Sequence, residues 1–208
     1  MRTSNRNRTP GREDILDAAE VLMAGKGIDS TSIADICRAS GLPVGSVYWH
    51  FGSKAGLIAA VMIRGAERFF DRMPGLDTFK GSEAERFKQW FDSNTGMIAE
   101  RPDFLRLHLS LSLLDEAESS ARDISLSVRA LALERLSLAF LPWLRELGIA
   151  EPERRSGEFA AMMLATVDGA FIAQQLGVAT ADAPMNTLYE CLVARADQLC
   201  SSGTRLSE

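Results

Sequence analysis

Apolar residues recur at helical spacing along almost the whole chain, and glycine or proline cuts the pattern at short intervals. Strand-like alternation bounded by turn residues is scarce, so the chain reads as all-α. The intervals predict about nine helices: 11–25, 33–40, 43–50, 53–72, 82–99, 102–114, 120–147, 152–175 and 184–200. In the first, Ile15, Leu16, Ala18, Ala19, Leu22 and Met23 share one face, and Lys26-Gly27 ends it. Ser32 with Asp35, Ser82 with Glu85 and Ser120 with Asp123 have the capping-box spacing that opens a helix. The polar stretch from Pro74-Gly75 to Gly81 predicts a loop between sub-structures, and Pro142 a kink in the long helix around it.

The stretch from Ser32 to Phe51 predicts a helix, a tight turn at Gly41 and a second helix starting at Pro43. This is the order of a DNA-binding helix-turn-helix, whose second helix enters the major groove. Val47 and Phe51, four apart, can pin that helix to a core, which leaves Gly45, Ser46 and Trp49 for base edges. Gly45 lets a backbone approach a duplex closely, Ser46 offers a hydroxyl and Tyr48 a phenol for phosphate. Lys54 falls in the first turn of the next helix, where outward N–H groups also suit an anion. Two short packed helices without a nucleic-acid role remain the alternative reading of this shape, and the adjacent aromatics Tyr48 and Trp49 favour the functional one.

Charge supports contact with phosphate at one end only. The net charge is −5, yet residues 1–72 carry 10 Lys/Arg against 8 Asp/Glu, and residues 73–208 carry 13 against 20. Residues 1–10 read as a flexible basic arm. There is no signal-peptide pattern and no unbroken apolar run of bilayer length, so a cytoplasmic protein is expected, with no membrane partner. Cys37, Cys191 and Cys200 are odd in number and far apart, which reads as free thiols. With two histidines, His50 and His108, and no cysteine-histidine spacing for zinc, neither a metal nor a cofactor is expected. No nucleophile elbow, phosphate loop or acid-base pair is visible, so a regulator is favoured over an all-helical enzyme.

Residues 11–62 resemble the N-terminal domain of the tetracycline-repressor (TetR) family. The resemblance is carried by Ile15-Leu16-Asp17-Ala18-Ala19, Lys26-Gly27, Thr31-Ser32, Ile36, Gly41, Gly45-Ser46-Val47-Tyr48, His50-Phe51 and Ser53-Lys54. It implies a three-helix DNA-binding head at 11–52. It also implies a connecting helix with a ligand-binding and dimerisation body at 53–208. The implied partners are double-stranded DNA with an inverted-repeat operator, a second copy of the chain and a small-molecule effector that releases a repressor. The DNA-contacting set is then Thr31, Ser32, Val44, Gly45, Ser46, Tyr48, Trp49, His50 and Lys54. Pro43 and Val44 depart from the family, which commonly has a hydroxyl and a basic residue there, so base preference does not transfer.

For the effector, the expected lining is Trp90, Phe104, Leu111, Phe140, Trp143, Met162, Met163 and Phe171, with His108 and Gln174 as polar anchors. Such a set suits a mostly apolar ligand, although the same residues can simply pack a core. Asp168 interrupts an apolar stretch and needs a partner across an interface or a place at its rim. The last two helices carry apolar stripes fit for a two-fold interface, in the second through Leu188, Cys191, Leu192 and Leu199. A regulator answering to a protein partner, or to no small molecule, is the alternative.

Overall fold

The computed structural model describes residues 11–100, 102–112, 119–178, 180 and 182–204. Among them are nine α-helices and no strand: α1 (Arg12–Lys26), α2 (Ile33–Ser40), α3 (Val44–Phe51), α4 (Lys54–Phe70), α5 (Glu83–Glu100), α6 (Pro102–Ser112), α7 (Ser119–Glu146), α8 (Pro152–Gln175) and α9 (Asp182–Thr204). The expected basic arm at 1–10 lies outside the described residues. The stretch after Pro74, read as a loop, contains a 3-10 turn at Leu76–Thr78, because Leu76 is apolar enough to bury itself. Pro142 sits inside α7, and the helix continues past it to Glu146.

The chain divides into two compact units, Met1–Arg68 with Arg106–Val128 and Phe69–Leu105 with Arg129–Glu208. This grouping differs from a head ending at residue 52, because α4 is bound to α1 by charge. Arg64 of α4 keeps only 10% of its side chain exposed. Its guanidinium donates to Glu13 at 3.1 Å, Asp17 at 2.8 Å and Glu20 at 2.7 Å, three carboxylates on one face of α1. Arg68, one turn on, adds a bond to Glu20 at 3.2 Å. Beneath this network Ile15, Leu16, Ala19, Met23, Ile36, Val47, Leu57, Val61 and Met62 form the core. Full burial of such a side chain is worth about 1.5–3 kcal/mol before entropy is counted.

Caps fix where the short helices begin and end. Ser32 Oγ accepts from the Asp35 N–H at 3.1 Å, and the Asp35 carboxylate accepts in return from the Ser32 N–H and hydroxyl. Lys26 at the end of α1 reaches the same carboxylate at 2.6 Å, so Asp35 ties α1 to α2. Lys26 and Ser32 together hold its carboxyl far below the usual carboxylate range. Gly41 closes α2 in the left-handed conformation, φ 71°, which costs a glycine little.

The second unit is built around stacked aromatics. Phe87 lies parallel to Trp143 with ring centroids 3.5 Å apart, and Trp90 meets Phe140 edge-on at 5.2 Å. The Trp143 indole N–H donates to Glu83. Asp168 is paired with Arg129 of the same chain at 2.5 Å, so its expected interface partner is replaced by an internal one. Helices α8 and α9 pack on each other, burying Leu188 and Leu192 within the chain, which removes both from the stripe expected to face a second copy. By length and composition alone α8 could cross a membrane, although Glu158 and Asp168 interrupt its apolar run. Its buried Phe159, Met163, Val167, Ala170 and Phe171 fit a core helix.

Candidate functional site

Helix α3 presents two unlike faces. Val47 is fully buried and Phe51 half-buried, while Val44, Gly45, Tyr48 and Trp49 are exposed. The exposed four are two adjacent pairs one turn apart, so they form a single outward stripe. Trp49 is 78% exposed, the highest value among the exposed large apolar side chains. Leaving an indole and a phenol side by side in water is unfavourable for the isolated chain and marks a surface that meets a partner. A Cβ built on Gly45 would meet nothing within 4 Å, so the backbone there is open to close approach from outside. Ser46 is half-buried, and its hydroxyl makes no hydrogen bond among the described residues. The His50 ring is half-buried and packs against Trp49, edge to face, at 4.4 Å.

Helix α4 starts against the end of α3. Gly52 ends α3 with φ 73° and donates its N–H to the Tyr48 carbonyl at 2.9 Å. Ser53 Oγ accepts from the Gly56 N–H at 3.0 Å. A Cβ at Gly56 would lie 2.1 Å from the Phe51 carbonyl oxygen, so only glycine allows the two helix ends this close. Lys54 opens α4 and makes no ion pair among the described residues. Its ammonium and the first-turn N–H groups are thus the positive feature beside the α3 stripe.

Two members of the expected contact set have other duties. Thr31 is fully buried and its hydroxyl donates to the Gly27 carbonyl at 2.7 Å, which corrects its assignment as a side-chain DNA contact. Ser32 stays exposed at the N-terminus of α2, but its hydroxyl is occupied by the cap with Asp35.

The expected effector residues separate into groups. Trp90, Phe140, Trp143, Met163 and Phe171 are all buried in the second unit. His108 is also buried, at 6% exposure, in the first unit. Gln174 is exposed and Met162 is 37% exposed, so neither lines an interior. Met162 lies off the face formed by Met163, Val167 and Ala170, whereas Gln174 continues that face but falls in the last turn of α8, where its side chain reaches water. The side chains of Phe104 and Leu111 lie outside the described residues. Sequence reasoning missed Asn94, buried at 2% exposure one turn beyond Trp90, and the Arg64 network. The second had a signal in the sequence: Glu13, Asp17 and Glu20 recur at helical spacing, as do Arg64 and Arg68.

Residues 15–61 match the family model described as bacterial regulatory proteins, tetR family. The regulator AcrR of Shigella flexneri is 40% identical over 50 residues, 24% of this chain and 23% of its own length. The chain therefore spans about a quarter of that relative. The structure of Salmonella enterica GusR superposes with a TM-score of 0.66 at 22% identity, covering 91% of this chain and 98% of that one. A SmeT–triclosan complex does so with a TM-score of 0.63 at 22% identity, covering 90% and 91%. The segment 15–61 thus matches the tetR family of bacterial regulatory proteins, and the chain shares the fold of these solved structures along about nine-tenths of its length.

Proposed function

We propose that this protein is a transcriptional regulator, a cytoplasmic repressor with no enzymatic activity. As a homodimer it binds double-stranded DNA at an inverted repeat and leaves it when a mostly apolar small molecule binds. The observation that carries this reading is the exposed α3 stripe of Val44, Gly45, Tyr48 and Trp49 on a helix pinned by Val47. In the proposed complex α3 lies in the major groove, with Gly45, Ser46 and Trp49 at base edges and Tyr48 and Lys54 on phosphate. The head is assigned to residues 11–52 and the effector and dimerisation body to 53–208. The effector reading draws on the aromatic interior around Trp90, Phe140 and Trp143, and on the triclosan complex of the SmeT neighbour. For dimerisation, the exposed Met162, Ile172, Leu176 and Val178 of α8 and the turn after it, with Cys191 of α9, supply apolar surface.

The test is an electrophoretic shift with the DNA upstream of the protein's own gene. A discrete complex that survives excess random duplex supports the reading. Binding that random duplex competes away equally well contradicts it.

A further inference from the structure

The indole N–H of Trp90 and the amide oxygen of Asn94 are buried, and neither has a hydrogen-bond partner. The residues keep 1% and 2% of their surface. They stand one turn apart on α5 and so share a face of that helix. The identity of the unused amide atom is fixed by chemistry. Asn94 Nδ2 donates to the Trp90 carbonyl at 2.8 Å, and turning the amide over would set oxygen against oxygen. One donor and one acceptor are therefore left over, both uncharged, and the rings of Phe87 and Phe140 pack on that of Trp90. Burying two such atoms unpaired destabilises the empty protein, and a group that satisfies both binds with that gain.

We propose that Trp90 and Asn94 are the polar anchor of the effector site. The effector is then a neutral aromatic molecule bearing one hydroxyl or one amide, a group that accepts from the indole and donates to the amide oxygen. This rests on the reading of the body as an effector module and replaces the expected anchor Gln174, which faces solvent. A carboxylate is disfavoured, because it has no proton for the Asn94 oxygen and must be buried with its charge.

The test is calorimetric binding of 2-naphthol, naphthalene and 2-naphthoate to the full chain, to Asn94→Leu and to Trp90→Phe. In the unaltered protein 2-naphthol binds roughly tenfold or more tightly than naphthalene, as expected for a buried site built to hydrogen-bond. It also binds more tightly than 2-naphthoate. Each substitution brings 2-naphthol and naphthalene to similar affinity while naphthalene binding persists. Asn94→Leu keeps the melting temperature, since it deletes an unsatisfied buried atom. Trp90→Phe keeps the aromatic packing and provides an independent arm. Equal affinity for naphthalene and 2-naphthol in the unaltered protein, the outcome for atoms that hold only water, overturns the proposal. So does a preference that survives both substitutions. Failure of all three aromatics to bind overturns the effector reading itself, which the two outcomes above leave standing.

Discussion

Arg64 is where removing one side chain should unsettle the α1–α4 packing. Arg64→Met keeps the aliphatic stem and deletes the guanidinium. The three bonds it makes, at 3.1, 2.8 and 2.7 Å, are charge-assisted and come from a side chain only 10% exposed. Removing one partner of a fully buried pair costs about 3–5 kcal/mol. Here the carboxylates of Glu13, Asp17 and Glu20 keep 20%, 51% and 29% exposure, so they regain water when abandoned. With that screening the expected loss is about 2 kcal/mol. For a chain of this size it lowers the melting temperature by about 4–8 °C. Thermal denaturation followed by circular dichroism reads the shift. The paired variant Arg64→Met with Glu20→Gln should lose less than the sum of the single changes, by about 1 kcal/mol, because the two groups share one network. A shift under about 1 °C, or strict additivity in the cycle, refutes the reasoning.

Lys54→Ala should weaken DNA binding evenly across sequences and reduce the slope of log affinity against log salt by roughly one unit; an unchanged slope removes Lys54 from the phosphate set. Glu83 is expected to behave opposite to most surface carboxylates. Burial first, and then the charges of Glu146 and Asp197, raise its pKa above 4.5, with Arg86 opposing. The folded protein thus holds this proton more tightly than the unfolded chain, so Glu83 contributes most in acid and that contribution is lost as pH rises through the raised value. Glu83→Gln, which keeps an oxygen for the Trp143 N–H, should raise the melting temperature at pH 7 and leave it unchanged at pH 4. A lower melting temperature at pH 7 contradicts this.

What the sequence made legible follows from which forces are local. Helix ends were readable because caps lie within four residues of the groups they satisfy, as Ser32 and Asp35 do. The outward stripe of α3 was readable because Val47 and Phe51 fix its phase. Thr31 was misread because it was carried over with the family resemblance, which does not show that its hydroxyl turns back onto the Gly27 carbonyl. Gly56 gives no local signal. In sequence it is an ordinary mid-pattern glycine, and only the approach of the Phe51 carbonyl shows why a side chain is excluded. Met162 was misplaced because α8 is apolar over much of its circumference, and Gln174 because it keeps the phase of the buried face while lying in the last turn, beyond the packed part of the helix. Asn94 was overlooked because a lone asparagine mid-helix carries no pattern. Its meaning comes from burial beside Trp90.

The central claim is that exposed residues of α3 read DNA sequence in a two-fold arrangement. Selection of bound duplexes from a random pool tests it whatever the sequence of the operator. The unaltered protein should enrich sequences sharing an inverted repeat, and Trp49→Ala should enrich a repeat altered at matching positions in both half-sites. A bound pool indistinguishable from the input, or a single asymmetric site insensitive to Trp49, would contradict the account.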